Sequence, residues 1–356
     1  MDASTDRWQA FRAITHFGNL DGLRCLSILA VIWHHGPGYG QSGLAGRGQS
    51  GVTLFFAISG FLITTLLLRE RDRTGRISLR GFYVRRSLRI FPLYYAILAL
   101  YVVLVAATQA GSEDARAFFA NLPSFLTYTS NWFVGTAGTF AFAWSLATEE
   151  QFYATWPVAI RYAGLRVAVM GLACVLGFVI AVNLLGAEAD LGDPLWWRIV
   201  WSVQMAICWG CLGAVLVHTR RGYVVAARVV GHRWASAVWL AVLLTLLSSS
   251  ANVDVPVALA AALLVLSCVV REDPAIAPVL RPRAVVHLGT ISYGMYLLHG
   301  LVYNVMDEAA ARLDLGVNPH GFAGFLLAVA GTTAVATLSF RYFEQPFLRL
   351  KTRLSR

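Results

Sequence analysis

The chain has 356 residues, of which 57% are hydrophobic and only 13% charged, and its mean hydropathy is +0.61. Soluble globular domains are about 45–50% apolar and about 25% charged, so this composition excludes a water-soluble globular protein. The net charge of +10 does not indicate nucleic-acid binding, because the basic residues lie between long apolar runs, where membrane topology explains them.

The apolar residues fall in runs of about 20, the length that crosses a hydrocarbon core of about 30 Å. The predicted fold class is therefore all-α, a polytopic membrane protein with about ten transmembrane helices. The predicted spans are 21–40, 51–69, 88–109, 143–161, 166–186, 197–218, 234–251, 254–270, 286–306 and 321–341. Segment 118–134 is interrupted by Pro123 and Asn131 and is predicted to be re-entrant or interfacial.

The distribution of charged residues predicts the orientation of these spans in the membrane. With the amino end inside, the arginines and lysines of both ends and of alternate loops fall on the cytoplasmic side, as the positive-inside rule requires. The opposite loops carry acids, among them Glu113, Asp114, Asp254 and Asp307. Both termini are therefore predicted to be cytoplasmic. No removable signal peptide and no appended soluble domain are expected, so residues 1–356 are predicted to form a single membrane domain.

The five cysteines all lie in or beside apolar runs, so a disulfide framework is not expected. Cys208 and Cys211 form a C-x-x-C inside a predicted span, without the structural context that gives this motif a redox or metal-binding role. No metal site is predicted.

In the first predicted span, Arg24, His34 and His35 need an explanation, because an ionisable side chain in lipid costs about 2.5 kcal/mol or more. A helix from Leu23 to His35 rises about 18 Å before Gly36 breaks it, which places the histidines below the outer surface. Imidazole suits the acceptance of a proton from a hydroxyl nucleophile. A histidine pair that caps the helix end explains the spacing equally well, whereas metal ligation is disfavoured because helical neighbours diverge.

Segment 69–89 contains eight arginines and is predicted to be a cytoplasmic loop. The positive-inside rule explains most of them. Arg85 and Arg89 are four residues apart, so they share one helical face that leads into the third span. Because arginine recognises phosphate and carboxylate through a forked geometry, this pair predicts a site for a phosphorylated donor that arrives from the cytosol.

Glu149 and Glu150 are predicted to begin the fourth span, with Thr148 as its N-cap and Gln151 three residues later. Acids in the first turn interact favourably with the helix dipole, which explains one carboxylate. The other is predicted to orient a histidine as the third member of a relay.

Tyr293, Tyr296 and His299 follow one another at intervals of three residues in the ninth span. An aromatic belt or a packed interface explains the tyrosines, but not a histidine in mid-span. These three residues are the candidate acceptor-binding group. Glu344 is predicted to be structural and paired with Arg341 or a neighbouring loop.

Several of these segments, taken in order, resemble the membrane-bound acyltransferase family 3, whose members O-acylate polysaccharides, lipopolysaccharide, peptidoglycan and some antibiotics. The segments that carry the resemblance are LDGLRCLSILAVIWHH, GVTLFFAISGFLI, FYVRRSLRIFPLYY, WSLATEEQFY, SYGMYLLH and YFEQPF. The resemblance covers nearly the whole chain. It implies ten core helices, an acyl-CoA donor from the cytosol and an acceptor hydroxyl on the far side of the membrane or within it.

By motif position, the resemblance implies that Arg24 and His35 are the family's first-span arginine and histidine. It further implies that Arg85 and Arg89 form its R-x-x-x-R signature and that Glu149 is the first acid of its tryptophan-serine-leucine motif.

Two departures accompany the resemblance. Cys25 stands where the family commonly has glycine, and no hydrolase-like domain follows the last predicted span, which predicts direct transfer to the final acceptor.

The sequence thus predicts an acyl-CoA-dependent O-acyltransferase of the bacterial inner membrane, with acetyl as the expected group and a carbohydrate or glycoside as acceptor. His35, with His34 beside it and Glu149 as its partner, is predicted to deprotonate the acceptor hydroxyl or to receive the acyl group. Arg85 and Arg89, together with Arg24, are predicted to bind the acyl-CoA. Neither a permanently bound cofactor nor a nucleic-acid partner is expected.

The alternative function is a proton-coupled transporter that uses the same buried histidine and glutamate residues. It predicts interrupted half-helices related by internal symmetry, which the sequence does not show. A membrane scaffold is a third alternative, but it leaves ionisable residues in lipid unexplained.

Overall fold

The computed structural model describes residues 3–135, 138–185, 194–249, 253–313 and 318–354. These residues are all-helical, with no β-strand among them, as the sequence predicts. The ends of two predicted spans, at residues 186 and 251, lie outside the described residues.

Nineteen α-helices and two π-helical turns make up this part of the chain. The α-helices are α1 (Ala3–Ala13), α2 (Gly18–His35), α3 (Gly43–Gly46), α4 (Ser50–Thr74), α5 (Leu79–Thr108), α6 (Glu113–Leu126), α7 (Ser130–Phe133), α8 (Ala143–Val158), α9 (Gly164–Leu185), α10 (Leu195–Trp201), α11 (Met205–His218), α12 (Arg220–Val230), α13 (Ala235–Ser248), α14 (Asp254–Val270), α15 (Ala277–Leu280), α16 (Arg283–Thr290), α17 (Ser292–Leu313), α18 (Phe322–Ser339) and α19 (Gln345–Leu354). The π-helical turns are Ala159–Ala163 and Phe340–Glu344.

Four helical stretches are long and apolar enough to cross a membrane. They are Ser50–Thr74, Leu79–Thr108, Ala143–Leu185 and Phe322–Leu350. Three pairs of helices meet the same criterion only together, with bends of 48° between α10 and α11, 67° between α12 and α13, and 76° between α16 and α17. The described residues therefore contain four to seven candidate spans, as expected of an integral membrane protein. The count of ten and the cytoplasmic position of both termini remain predictions.

The prediction of a loop at 69–89 is wrong. Helix α4 continues to Thr74 and α5 begins at Leu79, so residues 75–78 alone connect them. The Ser78 hydroxyl accepts a hydrogen bond from the Gly81 amide at 3.2 Å and caps α5. Arginine is a good helix former, so nothing in the charged segment stops the helix from starting at this cap. The arginines therefore lie mostly on two helix ends.

The predicted N-cap of the fourth span is also wrong. Helix α8 begins at Ala143, so Glu149 and Glu150 lie in its second turn rather than at its start. The Thr148 hydroxyl lies 3.2 Å from the carbonyl oxygen of Trp144, to which it donates, as hydroxyls inside helices do. The helix dipole therefore no longer explains either carboxylate.

Three further predicted spans differ from the observed helices. Spans 143–161 and 166–186 lie in one helical run, Ala143–Leu185, which is joined through a π-helical turn and Gly164 at φ +79°. Span 286–306 is divided, because α16 ends at Thr290 and α17 begins at Ser292 after a sharp bend.

The helices group into two compact units. Unit 1 comprises Met1–Arg73 and Met205–Ala334, and unit 2 comprises Thr74–Gln204 and Val335–Arg356. In unit 1, α2 packs against α14, α15, α16 and α17. Two glycines permit this close packing: a Cβ atom at Gly22 would lie 2.4 Å from the Leu280 carbonyl oxygen, and one at Gly289 would lie 1.9 Å from that of Asp21.

Gly289→Ala is expected to destabilise unit 1, because the new methyl group would meet the backbone of α2 and force the helices apart. Overpacking of this kind costs about 1–3 kcal/mol. The measurement is the thermal unfolding midpoint of the detergent-purified protein, which should fall by several degrees. Gly177→Ala is the matched control, since its Cβ atom would meet nothing within 4 Å. An unchanged midpoint in Gly289→Ala would contradict the close packing of α16 on α2.

In unit 2, α8 runs antiparallel to α5. The Tyr83 hydroxyl near the start of α5 donates to the Ala154 carbonyl oxygen near the end of α8, at 2.7 Å. Arg161, just beyond α8, donates to the carbonyl oxygen of Ile77, just before α5. These contacts fix which residues of the two helices face one another.

Candidate functional site

The predicted site residues divide between the two units. Unit 1 contains Arg24, His34, His35, Tyr293, Tyr296 and His299. Unit 2 contains Arg85, Arg89 and Glu149. The predicted pairing of His35 with Glu149 joins residues of different units and remains a prediction.

His35 is the last residue of α2, as the helix-breaking residues after it predict. Its Nδ1 atom lies 2.9 Å from the Val31 carbonyl oxygen. Because a carbonyl oxygen can only accept a hydrogen bond, Nδ1 carries the proton in this contact. The Nε2 atom of the neutral ring then has a free lone pair, which is the form of imidazole that can accept a proton.

His299 lies directly beside His35. Their ring centroids are 4.6 Å apart with an interplanar angle of 67°, and the His299 side chain is fully buried. Its Nδ1 atom lies 2.5 Å from the Tyr296 carbonyl oxygen, so the same argument places a proton on that nitrogen. The sequence places His299 in an acceptor-binding group, whereas the structure makes it a neighbour of the predicted catalytic histidine.

His34 also contacts His35, but through a looser arrangement with ring centroids 5.3 Å apart. The His34 Cβ atom packs against the chain at Gly48, where an added Cβ atom would lie only 2.9 Å away. His34 therefore fills the space against the segment before α4, and His35 is the member of the pair that faces His299.

The end of α2 is held by residues that the sequence analysis does not identify. The Tyr303 hydroxyl donates to the Ile32 carbonyl oxygen at 3.0 Å. His320 approaches the His35 carbonyl oxygen through Nδ1 at 3.1 Å and Asp307 through Nε2 at 3.1 Å. The rings of Tyr303 and His320 stack with centroids 5.4 Å apart. These contacts satisfy carbonyl oxygens that a helix end leaves unpaired and fix the position of His35. No spacing in the sequence connects these residues.

Gly36→Ala is expected to disturb this arrangement, because a Cβ atom at Gly36 would lie 2.2 Å from the Tyr303 hydroxyl oxygen. Displacement of Tyr303 would release the end of α2 and move the His35 ring. We expect the turnover number for the acyl transfer predicted from the sequence to fall about tenfold with a smaller change in KM, since mispositioned groups mainly affect the chemical step. Gly18→Ala, at the other end of α2, is the control because nothing lies within 4 Å of its Cβ position. Equal turnover in both variants would exclude a positioning role for Tyr303.

Arg24 lies near the opposite end of α2, about 16 Å along the axis from His35. Eleven residues make three turns plus about 20°, so the two side chains start from the same helical face. The Arg24 guanidinium pairs with Asp21 at 3.0 Å, and His16 contacts the same carboxylate at 2.9 Å. The structure therefore places Arg24 in an ion-pair cluster and does not bring it to His35. Its predicted role in donor binding remains a prediction.

Tyr293 and Tyr296 lie at the start of α17. Tyr296 is buried, and its ring lies 5.6 Å from that of His299. Tyr293 is half-buried one turn earlier. Tyr296 thus borders the histidine cluster, and the acceptor-binding role of both tyrosines remains a prediction.

Arg85 and Arg89 lie on one helix, α5, and their spacing places them on one face of it. Arg85 is half-buried, and its guanidinium reaches back toward Gly81. Arg89 is exposed and acts electrostatically on Glu344, whose carboxylate also accepts a hydrogen bond from Ser339 at 3.3 Å. The described contacts therefore connect Glu344 with Arg89 and Ser339 rather than with Arg341, the predicted partner.

Arg86 is the functional candidate that sequence reasoning misses in unit 2. Its guanidinium lies 4.0 Å from the centre of the Tyr153 ring, and the charges of Glu150 and Glu149 act on it. The Nε atom of Arg86 and the Oε1 atom of Glu150 are buried and have no hydrogen-bond partner in the described structure. A run of arginines in the sequence carries no signal that distinguishes Arg86 from its neighbours.

A search of the described residues finds no group of histidine, cysteine, aspartate and glutamate side chains that could hold a metal ion. All five cysteines are free, and Cys208 and Cys211 are both buried.

Comparison with known proteins gives one family match. The profile of the acyltransferase 3 family, described as an acyltransferase domain, matches residues 17–341. No solved structure is significantly similar to the chain.

Several curated relatives align with nearly all of the chain. A candidate O-acetyltransferase of Staphylococcus aureus strain COL is 27% identical over 96% of this chain and 59% of its own length. The peptidoglycan O-acetyltransferase of Listeria monocytogenes is 26% identical over 92% of this chain and 55% of its own. A candidate peptidoglycan O-acetyltransferase of Bacillus subtilis is 28% identical over 92% of this chain and 54% of its own. The chain thus spans little more than half the length of these relatives.

Proposed function

The chain belongs to the acyltransferase 3 family, and we propose from this membership and from the histidine cluster that it is a membrane-embedded O-acyltransferase. The proposed donor is cytosolic acyl-CoA, with acetyl as the transferred group. The proposed acceptor is a carbohydrate hydroxyl of the cell envelope, such as one in peptidoglycan, which the names of two relatives give as the substrate of those proteins. The proposed location is the bacterial inner membrane, with both termini cytoplasmic.

The observation that carries the proposal is the geometry of His35. Its Nδ1–H is engaged by the Val31 carbonyl oxygen, so Nε2 is the nitrogen available as a general base. In the proposed reaction, Nε2 removes the proton of the acceptor hydroxyl while the hydroxyl oxygen attacks the thioester carbonyl carbon. The carbon–sulfur bond then breaks, and the CoA thiolate receives the proton from His35. The products are an O-acyl ester and free CoA, and no metal or redox cofactor is required.

The contacts around His35 support this role. Tyr303 and His320 fix the backbone at the end of α2, and the buried His299 packs against the ring. A base held in one orientation contributes more to the rate than a mobile one, since the cost of ordering is met in the folded state. Glu149 is the proposed partner that stabilises the imidazolium, following the family motif that it matches.

The proposed donor site is the arginine pair on α5. Arg85 and Arg89 project from one helical face near the capped start of α5, and both carry a permanent positive charge. The phosphates of CoA are the complementary anions. Arg24, on the same face of α2 as His35, is proposed as a further cationic contact.

The structure contains interrupted helices, which the transporter alternative predicts. These interruptions alone do not favour a transporter, because no comparison supports a transport function and the matched family is an acyltransferase family.

The test of the proposed function uses the purified full chain in proteoliposomes with radiolabelled acetyl-CoA and a peptidoglycan glycan fragment. Base-labile label in the glycan is the expected result, because an O-acetyl ester is cleaved by mild alkali. Label that stays in acetyl-CoA under all conditions would contradict the proposal.

A further inference from the structure

The segment that leads from α5 to α8 forms a hairpin, residues 113–133, that reaches only half the length of α5. Helix α6 returns antiparallel to α5 after a short turn, and the Tyr94 hydroxyl donates to the Phe125 carbonyl oxygen at 2.8 Å. Tyr94 lies about 22 Å along α5, whose total length is about 45 Å. The tip of the hairpin therefore lies at the middle of a candidate membrane span.

The backbone at this tip is not helical. Tyr128 adopts φ +54°, a left-handed conformation that is uncommon for a bulky residue. Non-helical backbone at membrane depth occurs where it is buried in protein or lines a polar cavity, because lipid offers no hydrogen bonds. Such strained positions cluster at functional sites. The tip thus has the features of a functional site rather than of a simple connecting loop.

Helix α8 presents polar side chains to the tip. Gln151 donates to the Tyr128 carbonyl oxygen at 2.8 Å, and its amide exchanges two further hydrogen bonds with that of Asn131, at 2.8 and 2.9 Å. Gln151, predicted as part of a helix cap, therefore holds the hairpin in place. Glu150 precedes it on α8 and acts electrostatically on Tyr94 and on Tyr95.

Two buried polar atoms, one on α5 and one on α8, have no hydrogen-bond partner among the described residues. Oε1 of Glu150 is a hydrogen-bond acceptor, and Nε of Arg86 is a hydrogen-bond donor. The charges of the two side chains act on one another, yet no ion pair joins them within the described part of the chain. Leaving such atoms unsatisfied in a buried site is unfavourable, so each of the two atoms is open to a hydrogen bond with a ligand.

The required ligand must donate to Glu150 and accept from Arg86. A hydroxyl group does both with one oxygen atom. The carboxyl oxygens of Glu149 and Glu150 accompany Arg86 here, and such acceptors suit a hydroxyl donor better than a phosphate of CoA. The rings of Phe91, Tyr95 and Tyr128 border the same region, with centroid distances of 5.6 Å for Phe91 and 6.1 Å for Tyr95 from Tyr128. Aromatic rings beside hydroxyl-binding groups suit the mixed polar and apolar surface of a sugar.

We propose that Glu150, Arg86 and the tip of the hairpin form the binding site for a neutral polyhydroxyl ligand, the sugar unit of the acyl acceptor. The assignment of this ligand as acceptor rests on the proposed function, whereas the site itself rests on the geometry of unit 2.

The experiment measures binding of a β-1,4-linked N-acetylglucosamine tetrasaccharide to the detergent-purified full chain by calorimetry. Glu150→Gln and Arg86→Lys should each weaken tetrasaccharide binding about tenfold or more, because glutamine lacks the carboxyl group and lysine lacks the Nε–H donor. The KM for acetyl-CoA should stay within about twofold. Glu113→Gln is the matched control, since the same change is made on an almost fully exposed side chain of unit 2.

A wild-type experiment provides a readout that does not depend on the folding of a variant. Carbodiimide labelling of Glu150, followed by peptide mass analysis, should slow when the tetrasaccharide is present. Labelling that is unchanged by the tetrasaccharide would overturn the site. Equal tetrasaccharide affinity in wild type and in a folded Glu150→Gln protein would do the same. Either result would indicate that water satisfies the two atoms. A Glu150→Gln or Arg86→Lys protein that lost acetyl-CoA binding but kept its tetrasaccharide affinity would also overturn the site. Tetrasaccharide binding without acetyl transfer would support this site and contradict the proposed function.

Discussion

His35→Ala is expected to lower the rate of acyl transfer by about 10²- to 10⁴-fold, the contribution typical of a general base. The ring lies at the end of α2 with Nδ1 engaged by Val31, so its removal deletes Nε2, the nitrogen proposed as the base. The KM for the donor should change little, because the proposed donor site is elsewhere. The measurement is steady-state transfer of label from acetyl-CoA to the glycan.

His287→Ala is the matched control, since it removes an exposed histidine of the same unit. Both variants should insert into the membrane to the same extent and elute from a size-exclusion column at the same volume, as equally folded proteins do. A folded His35→Ala protein with transfer within a fewfold of wild type would contradict the assignment of His35 as the base.

Arg85→Gln and Arg89→Gln are each expected to raise the KM for acetyl-CoA about tenfold, and the double variant more. Hydrogen bonds to charged groups contribute about 1.5–3 kcal/mol each, and the loss of one phosphate contact should appear in donor binding rather than in the chemical step. The measurement is initial rate against acetyl-CoA concentration at saturating glycan. High salt should weaken donor binding in wild type more than in the double variant, since screening acts on the contacts that the double variant lacks.

Arg80→Gln is the control for this pair, because Arg80 is exposed on the first turn of the same helix and points along a different face. If Arg80→Gln raised the KM as much as the other two, the effect would reflect general positive charge rather than a defined site. An unchanged KM in the double variant would exclude the pair as the donor site.

The all-helical class and several helices could be predicted because lipid requires long apolar helices, whereas the count of ten spans and the orientation of the termini stay predictions. Apolar length and charge placement identify helices such as Asp254–Val270, whose predicted and observed limits coincide. The errors lie at helix ends and breaks, which depend on local and tertiary contacts. The start of α5 depends on the Ser78 cap, and hydropathy does not detect it. The break before Ser292 occurs where Gly289 packs against the backbone of α2, a contact that no local pattern contains.

The candidate site was predictable only in part, for a related reason. His35 could be identified because its helix visibly ends there, and Arg85 and Arg89 because helical spacing relates them. The contact of His299 with His35 arises from the packing of α17 on α2, and residues so distant in sequence share no spacing. Arg86 turns toward Tyr153 because α8 packs along α5, whereas in the sequence it is one arginine in a charged run.

The most direct test of the account is mass analysis of cell-envelope glycans from cells that carry the gene, lack it, or carry the His35→Ala form. We expect an alkali-labile acetyl ester on the glycan in the first case and its loss in the other two, with the His35→Ala protein present in the membrane at normal levels. Retention of the ester in cells that produce only the His35→Ala protein, with none in cells that lack the gene, would contradict the central claim that His35 performs the transfer.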